Sequence, residues 1–508
     1  MLAAIDLPAP VFDYHALAPE IVLTATILVM IVADLAMSGR DRSLVAQIGS
    51  FGVLAALIPV LTLAADGNDR VMFNGLYVVD NFALVVKALF LVAAYLTILL
   101  SVDYIRDGDY HQGEYYYLVL TSVLGMVVMG SARDLLTIFV ALETISIPTY
   151  MLAGWRKHDV RSNEAAVKYY IFGVLSSAVM LYGMSLIYGV VGSSLLSEIA
   201  RASNLLRGDE PLYVVAIALT LVGFGFKVSA VPFHFWAPDT YEGSPTPVTA
   251  FLSVASKAGG FVAIITLVYA GFFGSSTAWQ PVIWVFAALS MTVANVIALR
   301  QTNLVRMLAY SSIAQAGFML VPLAAAAQGG DAAANALQAT VTYLLIYGVM
   351  NFGAFALVIA VARRTGSAEI DSYAGLFVYS PGLAVLMSIF LFSLAGIPPL
   401  AGWFAKFAMF RAVLSPIDIG DGVSAAEWWI VALGVIAAVN AVIAFFYYAN
   451  VARRMWFEPA AEGVGGAIRI PPALAIGIGL TAVAVVAGGV YPQIFAKLGE
   501  MAQFAVGT

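Results

Sequence analysis

Long apolar runs follow one another along almost the whole chain, and they leave few folds open to it. Runs of about 18 or more residues recur, and each can cross a hydrocarbon layer of about 30 Å as a helix. Of the 508 residues, 62% are hydrophobic and 11% are charged, whereas a soluble protein carries about 25% charged residues. The pattern predicts an all-α polytopic membrane protein, with residues 1–508 forming a single integral membrane domain.

Fourteen apolar segments can be delimited, and the connections between them are mostly short. A surface helix is expected in the longest connection, 192–211. The predicted membrane helices are 18–37, 43–65, 79–101, 113–130, 134–153, 162–192, 211–231, 245–271, 280–299, 303–325, 333–363, 381–411, 428–457 and 471–492.

The placement of lysine and arginine predicts the orientation, because loops rich in these residues stay in the cytoplasm. Loops after odd-numbered predicted helices, counted together with the helix ends beside them, carry thirteen of the 24 basic residues, and the other loops and helix ends with the C-terminal tail carry six. The odd loops are therefore expected to be cytoplasmic and both termini to lie on the outer side. The five remaining basic residues are lysines within the predicted helices: Lys87, Lys168, Lys227, Lys257 and Lys406.

The predicted membrane interior contains lysine, whereas all seventeen arginines lie outside the predicted helices or within five residues of their ends. A lysine at the centre of a membrane helix costs about 2.5–3.5 kcal/mol. A buried lysine can release its proton, whereas arginine stays charged at any accessible pH. This selection favours protonation chemistry inside the membrane.

Glycine, proline and lysine fall together in two apolar segments, where they predict broken helices. Lys227 stands in GFGFKVSAVP, and Lys406 follows LAGIPPLAGW. Proline removes a backbone hydrogen bond, and irregular backbone is tolerated in a membrane where it lines a cavity. The paired prolines before Lys406 are expected to free the carbonyl groups of Leu394 and Ala395. The similarity of the two segments indicates an internal repeat.

Four further charged residues lie in the predicted helices. Glu143 lies in the middle of FVALETISIPTYM and Lys257 near the middle of its helix, so function is favoured over a structural ion pair or snorkelling. Lys168 follows Glu164 by one turn, so an ion pair at the membrane edge and a functional role are equally supported. Lys87 is interpreted as structural, and it is too far from Asp80 for direct contact.

If these carboxylate and ammonium groups lie together, they must face one interior that contains either water or partners of opposite charge. Moving one charge shifts the pKa of the next group, so a chain of such groups could pass protons along the membrane midplane.

Six segments resemble the antiporter-like membrane subunits, of the subunit N type, of proton-pumping NADH–quinone oxidoreductase (bacterial complex I). The resemblance extends from about residue 20 to residue 455 and rests on ALETISIPTYML, RSNEAAVKYY, FKVSAVPFHFWAPDTYEGSPTPVTAFLSVASKAGGF, VRMLAYSSIAQAGFML, YLLIYGVMNFGAF and GIPPLAGWFAKF. It implies two inverted five-helix repeats, about 113–271 and 280–457, with broken helices seven and twelve, in the inner membrane.

The resemblance also implies a role for each matching residue. Glu143 is expected to pair with Lys227, and Lys257 to act as a central relay. Lys406 is expected to lead towards the outer exit or the next subunit, and Lys168 matches a possible relay position. Gln315 stands where many relatives have histidine, which leaves the electron donor of the parent complex open.

The implied activity is that of a redox-inert subunit of a proton-translocating enzyme. The chain has no cysteine and so no thiolate ligands for an iron–sulfur cluster. NAD(H), FMN, iron–sulfur clusters and quinone are expected in other subunits, with no cofactor or metal in this chain. Expected partners are other complex I membrane subunits, including the neighbouring antiporter-like subunit, and lipids, but no nucleic acid. The alternatives are a subunit of a multisubunit cation/proton antiporter, a small-solute transporter and a passive scaffold.

Overall fold

Helices follow the predicted apolar segments over the residues described in the computed structural model, which are 12–37, 43–108, 110, 112–206, 210–415, 425–460 and 466–505. Both chain ends, whose side of the membrane the sequence predicts, lie outside the described residues. The N-terminal elements are α1 (Ala18–Ala36), α2 (Ser43–Asp66), the antiparallel hairpin of β1 (Arg70–Met72) and β2 (Tyr77–Val79), α3 (Asn81–Asp107), α4 (Gly113–Ser131), α5 (Leu135–Ala153), α6 (Val160–Val191) and α7 (Leu196–Leu206).

The helix α7 occupies the connection in which a short surface helix is predicted. The elements after it are α8 (Pro211–Lys227), α9 (Trp236–Gly243), α10 (Thr246–Phe251), α11 (Lys257–Leu267), α12 (Ser276–Ala298), α13 (Leu304–Ala325), α14 (Gly330–Thr365), α15 (Leu376–Tyr379), α16 (Pro381–Ala395), α17 (Ala401–Leu414), α18 (Ala425–Phe457), α19 (Pro472–Val490) and α20 (Gln493–Met501).

Aspartate and asparagine caps fix where several helices begin. A side-chain oxygen at the N-cap accepts a hydrogen bond from a backbone N–H that has no partner within the helix. Asp80 caps α3, Asp134 caps α5, Asp159 caps α6 and Asn303 caps α13 in this way. These short polar residues therefore set the N-terminal ends of α3, which carries Lys87, and of three helices that carry partners of the other interior lysines.

Within the described residues, eleven helices are long and apolar enough to cross a membrane. The sequence predicts fourteen membrane helices, and the lower number has a physical cause. Two predicted segments are interrupted, so that α8 and α16 are shorter apolar helices, and two others join in one helical stretch over Thr246–Ala298. The multi-pass helical architecture is confirmed, and the count of fourteen crossings stays a prediction.

The centre of the molecule is formed by α13 and α14. In their most apolar windows, 94% and 89% of the residues are buried, against 22% in α1 and 28% in α6. The peripheral helices keep large apolar side chains exposed, as lipid or neighbouring subunits require. Polar side chains on the two central helices are therefore well placed to connect groups from both halves of the chain.

Candidate functional site

The chain breaks directly after Lys227, the last residue of α8. A break of eight residues, 228–235, separates α8 from the next helix at Trp236, and Ser229 within the break has a φ of 60°. Lys227 is buried, and its Nζ donates to Ser146 Oγ on α5 at 2.9 Å and to Tyr169 OH on α6 at 3.4 Å. Its stem packs against Gly260 of α11, where a Cβ would lie 3.0 Å from Lys227 Cγ. The lysine thus contacts three helices.

Glu143 lies one turn before Ser146 on α5, and it is half-buried. Its Oε1 accepts a hydrogen bond of 2.5 Å from Ser177 Oγ on α6. The described ion pairs do not include one between Glu143 and Lys227, although the family resemblance implies that pair. The hydroxyl of Ser146 instead holds the ammonium group one helical turn away, because Lys227 donates to it rather than to the carboxylate.

Lys257 begins α11, immediately after a π-helical stretch over Leu252–Ser256. Its buried Nζ donates to the backbone oxygen of Ser312 at 2.8 Å and to Ser312 Oγ at 2.5 Å. Tyr347 OH on α14 donates to the same hydroxyl at 2.9 Å. Ser312, on the central helix α13, therefore joins Lys257 to the second half of the chain.

Hydrogen bonds continue from α13 to the break between α16 and α17. Ser311 Oγ lies 2.5 Å from Tyr448 OH, and Gln315 Nε2 donates to that tyrosine at 3.4 Å. Gln315 Nε2 also donates to the backbone oxygen of Leu394 at 3.0 Å, while Tyr343 OH donates to Gln315 Oε1 at 2.6 Å. Gln315 is fully buried, so its amide connects the tyrosines to the end of α16.

Lys406 lies on the other side of that break. Its Nζ donates to the backbone oxygen of Ala395 at 2.6 Å and lies 5.0 Å from the centre of the Phe318 ring. Gly396 has a φ of +92°, and a Cβ there would lie 2.7 Å from Lys406 Cδ, so only glycine fits beside the lysine stem. The carbonyl groups of Leu394 and Ala395 both accept side-chain donors, which confirms that the proline-broken turn makes them available.

Lys168 lies apart from this buried row, and its side chain is 38% exposed. Its Nζ is 2.6 Å from Glu164, which confirms the predicted pair on α6, and 2.7 Å from Asp239 on α9. Arg306 of α13 binds the other oxygen of Asp239 at 2.8 Å and Glu242 at 2.9 Å. These ion pairs hold α9, in the segment between α8 and α11, against α6 and α13.

The serine and tyrosine partners of the lysines were not predicted from the sequence. The partner of Lys87 was not predicted either: it is Glu20 on α1 at 2.7 Å, and both side chains are almost completely buried. Asp80 pairs with Arg133 at 2.7 Å instead, as its separation from Lys87 requires. The signal for this pair in the sequence is a glutamate in the first turn of an apolar helix, but the sequence of that helix does not show which lysine the glutamate contacts.

Similarity to known proteins extends over nearly the whole chain. Residues 132–439 match the family described as NADH:quinone oxidoreductase/Mrp antiporter, transmembrane. NADH-quinone oxidoreductase subunit N of Desulforamulus reducens is 39% identical over 492 residues, covering 97% of this chain and 98% of that protein. NAD(P)H-quinone oxidoreductase subunit 2 of a Synechococcus strain is 38% identical over 496 residues, covering 96% and 90%. A chain in the structure of respiratory complex I from Thermus thermophilus with bound aureothin is 30% identical, with a TM-score of 0.76 and coverage of 94% and 98%.

Proposed function

Because the chain belongs to the NADH:quinone oxidoreductase/Mrp antiporter transmembrane family, we propose that it translocates protons along its buried polar row as a subunit of a quinone-reducing complex. The row extends from Glu143 through Lys227 and Lys257 to Lys406. The observation that carries the proposal is a pair of hydrogen-bonded clusters on α13: Ser312 holds Lys257, and Gln315, one turn further along the helix, binds the end of α16 beside the second break.

The chemistry of the row suits proton transfer. Hydroxyl groups contact Glu143, Lys227 and Lys257, and each hydroxyl can accept one proton while it donates another. Lys257 and Lys406 are held by Ser312 and by the Ala395 carbonyl rather than by carboxylates. Among the described residues no carboxylate pairs with either ammonium group, so no fixed counter-charge opposes the release of a proton. Both lysines are therefore suited to gain and lose protons in turn.

The end of the row at Glu143 is arranged differently. A proton passing between Glu143 and Lys227 has Ser146 as its nearest described intermediary, since that serine lies one turn from the glutamate and bonds the lysine. A shift of charge on Glu143 changes the proton affinity of Lys227 through space. This coupling is the proposed entry point for a signal from quinone chemistry in other subunits.

The topology is proposed as fourteen crossings in two inverted five-helix repeats, with both termini on the outer side of the inner membrane. The helical stretch Thr246–Ala298 would be about 80 Å long if straight, more than twice the hydrocarbon thickness of about 30 Å. A short 3-10 turn over Phe273–Ser275 divides it, which supports two crossings. The excess of basic residues in the odd loops supports the orientation.

The proposed partners and cofactors follow from the parent complex. The chain acts as a redox-inert subunit beside other membrane subunits, including a neighbouring antiporter-like one, and NAD(H), FMN, iron–sulfur clusters and quinone belong to other subunits. The electron donor is left open by this proposal, because Gln315 is a departure from many family members and the relatives include both NADH and NAD(P)H enzymes.

A multisubunit cation/proton antiporter is the second candidate, since the family description includes it. The two relatives above are quinone oxidoreductase subunits over at least 96% of this chain, which favours the first candidate. Dehydrogenase rather than antiporter genes beside the coding sequence would support the same choice.

The test uses Lys227→Met and Glu143→Gln in the assembled complex, with quinone reduction and proton pumping measured together. Both variants should assemble and lose turnover and pumping in parallel, because electron transfer stalls when its coupled proton cannot move. Lys497→Met on α20 is the control, since it removes an exposed lysine outside the row. Pumping that stays unchanged in both test variants would refute the relay and leave a passive scaffold.

A further inference from the structure

A cavity of about 320 Å³, the outer cavity, lies among the first turns of α14, the second half of α17 and the short helix α20. The proposed orientation places it at the outer membrane surface, because the loop after α17 follows an even-numbered predicted helix. Its described lining does not include Glu143, Lys227, Lys257 or Lys406, so the cavity lies outside the row.

The outer cavity brings two opposite charges together without pairing them. Arg411 of α17 and Glu500 of α20 are the charged residues of its described lining. Neither side chain forms an ion pair or a hydrogen bond with another residue in the described ranges of the chain. The amide groups of Gln338 and Gln493 line the same space and are equally without such a partner. A ligand that matches these walls therefore carries both a positive and a negative group.

An apolar stripe on α17 leads from the membrane interior to the arginine. Phe404, Phe407 and Arg411 follow one another at helical spacing on the face that lines the cavity. The Phe407 side chain is 50% exposed, whereas Lys406 is buried on the opposite face of the helix. One side of the cavity is therefore open and apolar, and its end is charged.

The depth of this stripe fits one leaflet of a bilayer. Broken membrane helices have their breaks near the midplane, and α17 begins at such a break with Ala401. Arg411 lies ten residues further on, which is about 15 Å along a helix and half of a hydrocarbon layer of about 30 Å. The guanidinium group is thus expected at the level where lipid phosphate groups begin, with the aromatic rings beside the acyl chains.

The helix α20 has the character of a helix that lies in the membrane interface. It buries Phe495 and Gly499 against the protein and leaves Ile494 and Leu498 exposed. An amphipathic helix of this kind lies along the surface, at the depth of the headgroups. Glu500 is therefore expected at the same level as Arg411, across the mouth of the cavity.

We propose that the outer cavity binds one phospholipid with an ethanolamine headgroup. Its phosphate binds Arg411, since a guanidinium group can donate two parallel hydrogen bonds to a phosphate. Its ammonium group binds Glu500, and the side-chain amides of Gln338 and Gln493 supply further donors and acceptors. One acyl chain lies along Phe404 and Phe407. The inference goes beyond the proposed function and uses the proposed orientation only to assign the outer leaflet.

Photoreactive lipids test this site in the assembled complex. Two probes carry the same diazirine-labelled acyl chain, one with an ethanolamine headgroup and one with a glycerol headgroup, which is anionic and has no ammonium group. After exchange into mixed micelles and illumination, labelled peptides are identified by mass spectrometry. In the parent, the ethanolamine probe should label α17 about two- to fivefold more than the glycerol probe, as one exposed ion pair provides.

Substitutions separate the two charge contacts. Arg411→Gln should reduce labelling of α17 by both probes about fivefold, the effect of one basic group at a membrane surface. Arg411→Lys should keep most of the labelling, because it keeps the charge. Glu500→Gln should bring the ratio of the two probes close to one. Lys497→Gln is the matched control, since this lysine is exposed on α20 but does not line the cavity, and it should label like the parent.

Three results would overturn the lipid site. Equal labelling of the parent and Arg411→Gln would mean that lipid meets α17 without a specific site. A parent that does not distinguish the probes would remove the ammonium contact with Glu500. If Arg411→Gln instead releases a neighbouring membrane subunit during purification, the cavity belongs to a protein interface. None of these readouts uses pumping, so a failed lipid site leaves the relay standing, and a failed relay leaves the lipid site standing.

Discussion

Replacing Lys87 by methionine should destabilise the protein strongly, because it leaves a carboxylate buried without its cation. Lys87 has no exposed surface, and its Nζ lies 2.7 Å from Glu20 Oε1. Tyr77 OH donates to the same oxygen at 2.5 Å. The other Glu20 oxygen is buried with no hydrogen-bond partner among the described residues. One hydroxyl group would therefore be left to stabilise the charge.

The magnitude follows from two opposing terms. At 2.7 Å the attraction is about 6 kcal/mol for an effective dielectric constant of about 20. Removing each ion from water costs several kcal/mol, so the intact pair contributes little net stability. Lys87→Met removes the attraction but leaves the desolvated carboxylate, which should cost about 3–5 kcal/mol. Glu20→Gln in the same chain removes the charge and should restore most of that loss.

The assay is the thermal unfolding midpoint of the purified complex, followed for the parent, the two single variants and the double variant. The double variant should be clearly more stable than Lys87→Met alone, with a coupling of about 2–3 kcal/mol. Equal midpoints for those two variants would refute the stranded-charge reasoning. At a temperature where Lys87→Met is folded, protons pumped per quinone reduced should match the parent, since Lys87 lies outside the row.

Two further variants address the loop and the second half of the row. Burial raises the pKa of Asp239, but hydrogen bonds from Lys168 and Arg306 lower it by a larger amount. The pKa of Asp239 therefore lies below the usual 3.8. The resulting stabilisation is present above that usual value and is lost as the pH falls through the lowered one. Asp239→Asn should therefore cost about 1 kcal/mol at neutral pH and flatten the acid side of a plot of unfolding midpoint against pH; an unchanged plot would contradict the bridging role. Gln315→His should introduce a titration into the pH profile of pumping between about pH 5 and 8, and an identical profile would show that the position does not face the proton path.

The sequence predicted the features that depend on local chemistry. Apolar runs marked the helices, because a helix exposed to lipid must be apolar along its length. The Glu164–Lys168 pair followed from their separation of four residues on one helix face. The freed carbonyl groups of Leu394 and Ala395 followed from proline geometry. Each of these depends on residues close together in the chain.

The features that it could not predict depend on how distant helices meet. Lys227 contacts Ser146 rather than Glu143, a difference of one helical turn that side-chain direction decides. Glu20 and Lys87 are 67 residues apart. Serines and tyrosines are common in apolar helices, so nothing local distinguishes Ser312 from a serine that bonds its own backbone. Only packing selects the members of the row.

The loop between α8 and α10 shows why an ordered polar segment is needed beside a broken membrane helix. A chain that leaves α8 at Lys227 loses helical hydrogen bonds, and the residues after it need other anchors. Asp239 supplies them, because its two carboxylate oxygens bind Lys168 and Arg306 on helices from different halves of the chain. The ion pairs therefore hold α9 against both halves of the chain, and a change that frees α9 should disturb the break beside Lys227.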